Sequence, residues 1–193
     1  MDADTHLLIG DGTNMRYYTS AEKAPKKYQL MIVFEDDSFL AFTVSMYGSI
    51  YAFKGEFDNP YYQGSIHKLC PLDERFDKAY FISLIRNLKK DISAKALLAT
   101  EQRIPGLGNG VCQDILFNAR ISPKRKISTL SEEDIDRLFN TVKSTLEEMT
   151  CRGGRDTEKD LYGALGNYRT ILSKNTYHDP CPICGERIQN CLL

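Results

Sequence analysis

An α+β chain is predicted, because strand-like and helix-like patterns fall in separate halves of the 193 residues. Two observations carry this. Residues 1 to about 67 hold short β-rich runs split by turn residues, and from about 77 onward apolar residues recur at helical spacing. A third feature, Cys181-Pro182-Ile183-Cys184-Gly185, closes the chain on a metal-type knuckle.

The elements follow in order. "THLLIGDGTNMRYY" reads as a strand broken by Gly10-Asp11-Gly12. "YQLMIVFEDDSFLAFTVSMYGSIYAF" holds two or three strands, with "EDDS" as a hairpin turn. "DNPYYQGSIHKLCPLDERF", with Pro60, Gly64 and Pro71, reads as a turn-rich connector, and a domain boundary is placed here. Helices are expected over 77–90, with Tyr80, Leu84 and Leu88 on one face, and over 93–100, opening at Ser93. Further helices are expected over 109–119 and 131–150. Ser131 caps the last of these, acids fill its first turn, and Gly153-Gly154 end it. A short helix is expected near 157–162. The domains are then 1–67, 68–175 and 176–193.

Composition narrows the function. Hydrophobic residues at 42% and charged ones at 26% are those of a globular protein. No apolar run approaches the roughly 20 residues that span a bilayer, so no membrane partner is expected. The opening "MDADTHLLIGDG" lacks the basic stretch and apolar core of a signal peptide, and a cytoplasmic monomer is expected. Net charge is −1, but it is unevenly spread. From Arg86 to Lys126, nine Lys/Arg face three acids, a local +6; from Ile127 to Thr150, two bases face six acids, a local −4. A basic block beside an acidic helix suits a phosphate-bearing partner.

"RIPGLGNGVCQDILFNAR" lies inside the basic block, with Gly106, Gly108 and Gly110 at the mouth of a helix. A helix N-terminus offers N–H groups and partial positive charge to an anion. Glycine lets a phosphate backbone approach without a Cβ in the way. Asn109 is expected at the N-cap, where its amide caps the helix or donates to a phosphate. No Gly-Lys-Ser/Thr follows, and the turn follows a helix rather than a strand, so neither a P-loop nor a dinucleotide fingerprint is present. A ligand-free interhelical turn is the alternative.

Six cysteines stand at 70, 112, 151, 181, 184 and 191. Cys112 reads as a small buried hydrophobe within a helix. Cys181 and Cys184 are half of a zinc ribbon, with Cys191 and His178 as further candidate donors.

Taken together, "SAKALLATEQRIPGLGNGVCQDILFNARISPKR", "GGRDTEKDLYG" and "CPICG" resemble, in order and spacing, motifs of the formamidopyrimidine-DNA glycosylase and endonuclease VIII family. The resemblance runs from about Leu72 to Gly185 and includes a closing Ile121-x-Pro123. It implies a partial N-terminal β-sandwich, a helix–two-turn–helix DNA-binding domain and an incomplete zinc-finger knuckle. It also implies zinc as cofactor, at Cys181, Cys184 and Cys191. Duplex DNA, damaged or abasic, is the implied partner, held by Lys95, Gly108, Asn109, Gly110, Arg155 and Tyr168. Asp114 stands where the family often carries a glutamate.

Family members flip a lesion out of the duplex and excise it, then cleave the strand; an N-terminal proline amine forms a Schiff base, with a glutamate as acid/base and a lysine assisting. This chain opens Met1-Asp2-Ala3-Asp4, without that Pro-Glu pair, so the resemblance identifies no catalytic residue here. "IGDGTNMRY" resembles a glycine turn of the family's sandwich; if "KKYQLMIVF" is registered instead, Lys27 becomes the assisting lysine. The family's intercalating finger is reduced to "SMYGS", leaving Met46 and Tyr47 as candidate wedges. Three readings result: a glycosylase/AP lyase, a non-catalytic DNA-binding protein, and a protein-interaction module.

Overall fold

The structure, a computed structural model, describes residues 4–45 and 47–188, which leaves Met46 and Cys191 outside the described residues. It consists of two compact units. One comprises residues up to Asp58 with Glu158–Gly166; the other comprises Asn59–Thr157 and the residues from Asn167 onward.

The first unit is all β. β1 (Thr5–Ile9) pairs antiparallel with β5 (Ile50–Lys54), from Thr5↔Lys54 to Ile9↔Ile50. β2 (Thr13–Tyr18), β3 (Leu30–Val33) and β4 (Phe39–Val44) form a second sheet in the order β2-β4-β3. The break at Gly10–Gly12 therefore separates strands of different sheets. The two sheet-switching corners bond to each other, Gly10 N to Ser49 O at 2.9 Å and Ser45 N to Gly12 O at 2.7 Å. "EDDS" is the expected hairpin: Phe34 N bonds Ser38 O, Asp36 Oδ1 accepts from the Ser38 N–H and hydroxyl, and Asp37 takes φ 63°.

The helix expected near 157–162 is instead a hairpin. Lys159 pairs with Leu165, and Asp160 Oδ1 accepts the N–H of Tyr162 and of Ala164, which suits a turn. Its tip joins β2 through Tyr17 N to Leu161 O at 2.9 Å.

The second unit is helical. α1 (Pro60–His67) occupies the stretch expected as a connector: Asn59 accepts from the N–H of Tyr61 and Tyr62, and Pro60 sits where a missing N–H costs nothing. A Cβ on Gly64 of α1 would touch Gln102, and Lys68 Nζ donates to Gln102 O at 2.6 Å. These ties draw α1 into the helical unit. The compact boundary thus lies at Asp58/Asn59, ahead of the expected 67/68.

α2 (Lys78–Arg86) is capped by Asp77 and α3 (Ala94–Ala99) by Ser93. α4 (Asn109–Asn118) and α5 (Glu132–Cys151) follow, the latter with a full Ser131/Asp134 capping box. Gly153 and Gly154, at φ 69° and 101°, end α5, with Gly154 N bonding Met149 O. A 3-10 turn at Ile127–Thr129 precedes α5. Phe76, Phe81, Leu97, Leu98, Ile115 and Leu138 form the centre of one continuous core.

Candidate nucleic-acid interface

The α3–α4 connection is braced from within. Arg103 donates from Nη1 to Ala96 O, Thr100 O and Thr100 Oγ1, and pairs with Glu101 at 2.5 Å. Arg103 thus places a cation on carbonyls at the end of α3, where the helix dipole is negative, and Lys68 donates to the carbonyls of Glu101 and Gln102 just beyond it. Sequence reasoning assigned neither residue. Basic residues flanking the end of a short helix were the signal that could have found them. Part of the basic block is thereby consumed inside the unit: Arg125 pairs with Asp134 at 2.6 Å, and Lys126 Nζ reaches Asp91 O at 3.4 Å.

The three glycines serve different ends. Gly106 has φ 81°, a left-handed turn conformation that side chains resist. Gly108 has ordinary extended angles, φ −81° and ψ 169°, and a Cβ there would meet nothing within 4 Å. Nothing in the unit therefore requires glycine at 108. Gly110 is closely covered: a Cβ would lie 2.5 Å from Arg155 Nη2 and 2.8 Å from Cζ.

Gly108, not Asn109, is the N-cap of α4, and Asn109 is the first helical residue. Asn and Ser side chains cap by folding back onto N2 or N3, which Asn109 cannot do from inside the helix. α4 alone of the five described α-helices lacks a side-chain cap; Asn59, Asp77, Ser93 and Ser131 cap the others. Asn109 is exposed, and its amide makes no hydrogen bond among the described residues. Lys95 is half-buried, and its charge reaches Cys112. Burial pushes the Cys112 thiol up to about 11, against the pull of Lys95, which agrees with its reading as a packed hydrophobe.

Arg155 and Tyr168, expected to face DNA, are inside, at 8% and 3% exposure. They pair in a parallel bridge, with Asp156 N to Tyr168 O and Tyr168 N to Gly154 O each at 2.9 Å. This bridge brings both side chains behind α4. There Asp114, fully buried, accepts from Leu172 N at 2.8 Å and Ile171 N at 3.1 Å. Burial raises the Asp114 carboxyl, opposed by those two N–H groups, the Arg155 charge and the Tyr168 hydroxyl. Burial, and next the Asp114 charge, push Tyr168 up to about 12.

The knuckle is a tight turn. Cys181 N bonds Glu186 O at 2.7 Å, Gly185 N bonds Cys181 O at 2.8 Å, and Pro180 pairs with Arg187. The N–H groups of Cys184 and Ile183 hold the Cys181 thiol below its usual range. A groove of about 470 Å³ beside it is lined by Leu116, Phe117, Ile121, Leu172, Cys181 and Cys184, among others. The His178 ring lies on Tyr177, centroids 3.5 Å apart. Among the described residues no three His, Cys, Asp or Glu side chains stand together to hold a metal. Two thiols do not make the four donors of a structural zinc, so the described residues do not fit one. In the β unit, Lys27 is exposed on a loop, and Tyr47 stands 92% exposed at φ 67°.

Known proteins are similar to this chain. Residues 69–160 match the formamidopyrimidine-DNA glycosylase H2TH domain. The chain is 30% identical over 187 residues to the formamidopyrimidine-DNA glycosylase of Listeria monocytogenes serotype 4b, covering 92% of this chain and 66% of the relative. It is 27% identical over 192 residues to that of Mycoplasma mobile, covering 98% and 68%. The chain thus spans about two thirds of the length of these relatives.

Among solved structures, MutM (Fpg) of Thermus thermophilus superposes with TM-score 0.76 at 23% identity, covering 96% of this chain and 70% of that one. Lactococcus lactis Fpg, in complex with abasic-site DNA, gives 0.78 at 22%, covering 99% and 71%. These likenesses show a common fold. With a matched H2TH domain, relatives of this name along nearly the whole chain and a common fold, the chain belongs to the formamidopyrimidine-DNA glycosylase and endonuclease VIII family.

Proposed function

We propose that this chain binds duplex DNA carrying a damaged or abasic site, as a base excision repair protein of its family. The observation that carries this reading is the start of α4. Its first-turn N–H groups have no side-chain cap, and open space stands where residue 108 would carry a Cβ. A phosphate fills both needs, accepting the N–H groups and lying along the turn. Asn109 and Lys95 flank it, one as a neutral donor and one as a point charge. Within the β unit, exposed Tyr47 is the candidate wedge residue. No helix among the described residues is long and apolar enough to cross a membrane.

Asn109→Ala tests the reading. Loss of a charge-assisted hydrogen bond is expected to weaken binding to an abasic duplex by ~1–2 kcal/mol. Affinity for the wild type should fall steeply with salt as counterions are displaced. Unchanged affinity in Asn109→Ala would remove that residue from the site.

The family activity, excision with β- or δ-elimination at the abasic sugar, requires an amine nucleophile. Borohydride trapping on an abasic duplex tests for one, because it reduces a Schiff base to a stable adduct. An adduct lost in Lys27→Ala would assign the amine to Lys27. Retained binding with no adduct would leave a non-catalytic DNA-binding protein.

A further inference from the structure

Gly110 is the second residue of α4, and Arg155 is the residue that follows the glycine pair ending α5. The Arg155 guanidinium occupies the space that a side chain at 110 would need, within 2.5–2.8 Å of the Cβ position for Nη2 and Cζ. Its backbone is fixed in the bridge to Tyr168, so the group is delivered to that place rather than swept across it. Arginine is planar and permanently charged. Set against the first turn of a helix, it adds positive charge to an end that is already positive. Those like charges oppose each other in the bare protein. Asp114, whose two oxygens accept from the N–H groups of Ile171 and Leu172, offsets part of the cost. The arrangement gains most when an anion lies at the α4 N-terminus.

We propose that Arg155 is a buried positioning residue for a DNA phosphate at the start of α4. Its guanidinium, seated against Gly110, fixes the first turn and raises the positive potential there without itself touching the phosphate. The proposal rests on the phosphate-binding reading of α4 above. It separates two contributions, volume and charge, and assigns Gly110 its role: the glycine makes room for Arg155, while Gly108 makes room for the DNA.

The test uses the full 193-residue chain and a duplex carrying one tetrahydrofuran abasic analogue, with affinity read by anisotropy across a salt series. Arg155→Met keeps length and removes charge; it should weaken binding about tenfold at low salt. Arg155→Lys keeps charge and should stay within about threefold of wild type, with the gap to Arg155→Met closing as salt rises. Gly110→Ala should weaken binding through the clash, and adding Arg155→Ala should cost less than the sum of the single losses. Thermal unfolding identifies any variant that does not fold, and Arg155→Lys then carries the comparison against wild type.

Equal losses in Arg155→Met and Arg155→Lys across all salt concentrations would overturn the charge role. Additivity between positions 110 and 155 would overturn the contact. If Asn109→Ala weakens binding while Arg155→Met binds like wild type, this inference alone falls. If wild type does not bind, or Asn109→Ala is silent, the parent reading falls and takes this one with it.

Discussion

The helical unit and the β unit solve the burial problem differently. The helical unit buries Phe76, Phe81, Leu97, Ile115, Leu138 and Val142 to zero exposure in a single cluster. Among the described residues of the β unit, the buried hydrophobics are Phe39, Ala41 and Phe42, all on β4, the middle strand of the larger sheet. Its other strands keep most side chains half-exposed, with Val33 at 56%. Packing separates the two. A two-stranded sheet such as β1–β5 has little apolar surface to remove from water, whereas α5 puts one face along the whole core. The glycine turn, where DNA is proposed to bind, sits on the better-packed unit, where a first turn of helix can be held still.

The largest test of this contrast is a cavity. Leu138→Ala should cost ~2–5 kcal/mol in urea denaturation, while Val33→Ala should stay within ~0.5 kcal/mol. Equal losses would mean that the β unit is as tightly held as the helical one. Next in size is Ser131→Ala, which removes one half of the α5 capping box and should cost ~1 kcal/mol. A silent Ser131→Ala would show that α5 is held by its packed face alone.

Acid should weaken the helical unit through its paired carboxylates. The Arg75 side chain and N–H hold Asp73 down at about 2, and Ser128 and Ser131 N–H groups likewise lower Asp91 and Asp134. Their folded values lie below the ordinary 3.8, so their contribution is full above that pH and is lost as pH falls toward about 2. Asp114 has the opposite sign. Its raised value means that stability is greatest with the carboxyl protonated and declines as pH rises through that value. Urea midpoints between about pH 2 and 5 should therefore fall on acidification, and the slope should lessen in Asp73→Asn. An unchanged slope would remove Asp73 from the account.

The smallest expected effect is also the sharpest for function. Gly108→Ser supplies α4 with the cap it lacks and should stabilise the chain by only a few tenths of a kcal/mol. The same change places a Cβ and hydroxyl in the open space beside the first-turn N–H groups, so DNA affinity should fall. A variant that gained stability and kept its affinity would place the DNA elsewhere.

Local features of this fold were written in local residues. Ser93 and Ser131 announced two helix starts, Gly153-Gly154 an end, and "EDDS" a hairpin, because each is a bond or a dihedral closed within a few residues. The glycine turn and its place before α4 were legible for the same reason, and the family resemblance rested on their order. Tertiary structure decided the rest. It seated the 60–67 stretch, capped locally by Asn59, against Gln102 in the helical unit, and sent the halves of "THLLIGDGTNMRYY" to different sheets. It took Arg155 and Tyr168 from the expected DNA face into the interior and set Asp114 beneath them. Gly110 shows the physical reason. Its lack of a side chain answers to a guanidinium delivered by the far end of α5, and no window of sequence around residue 110 contains that contact.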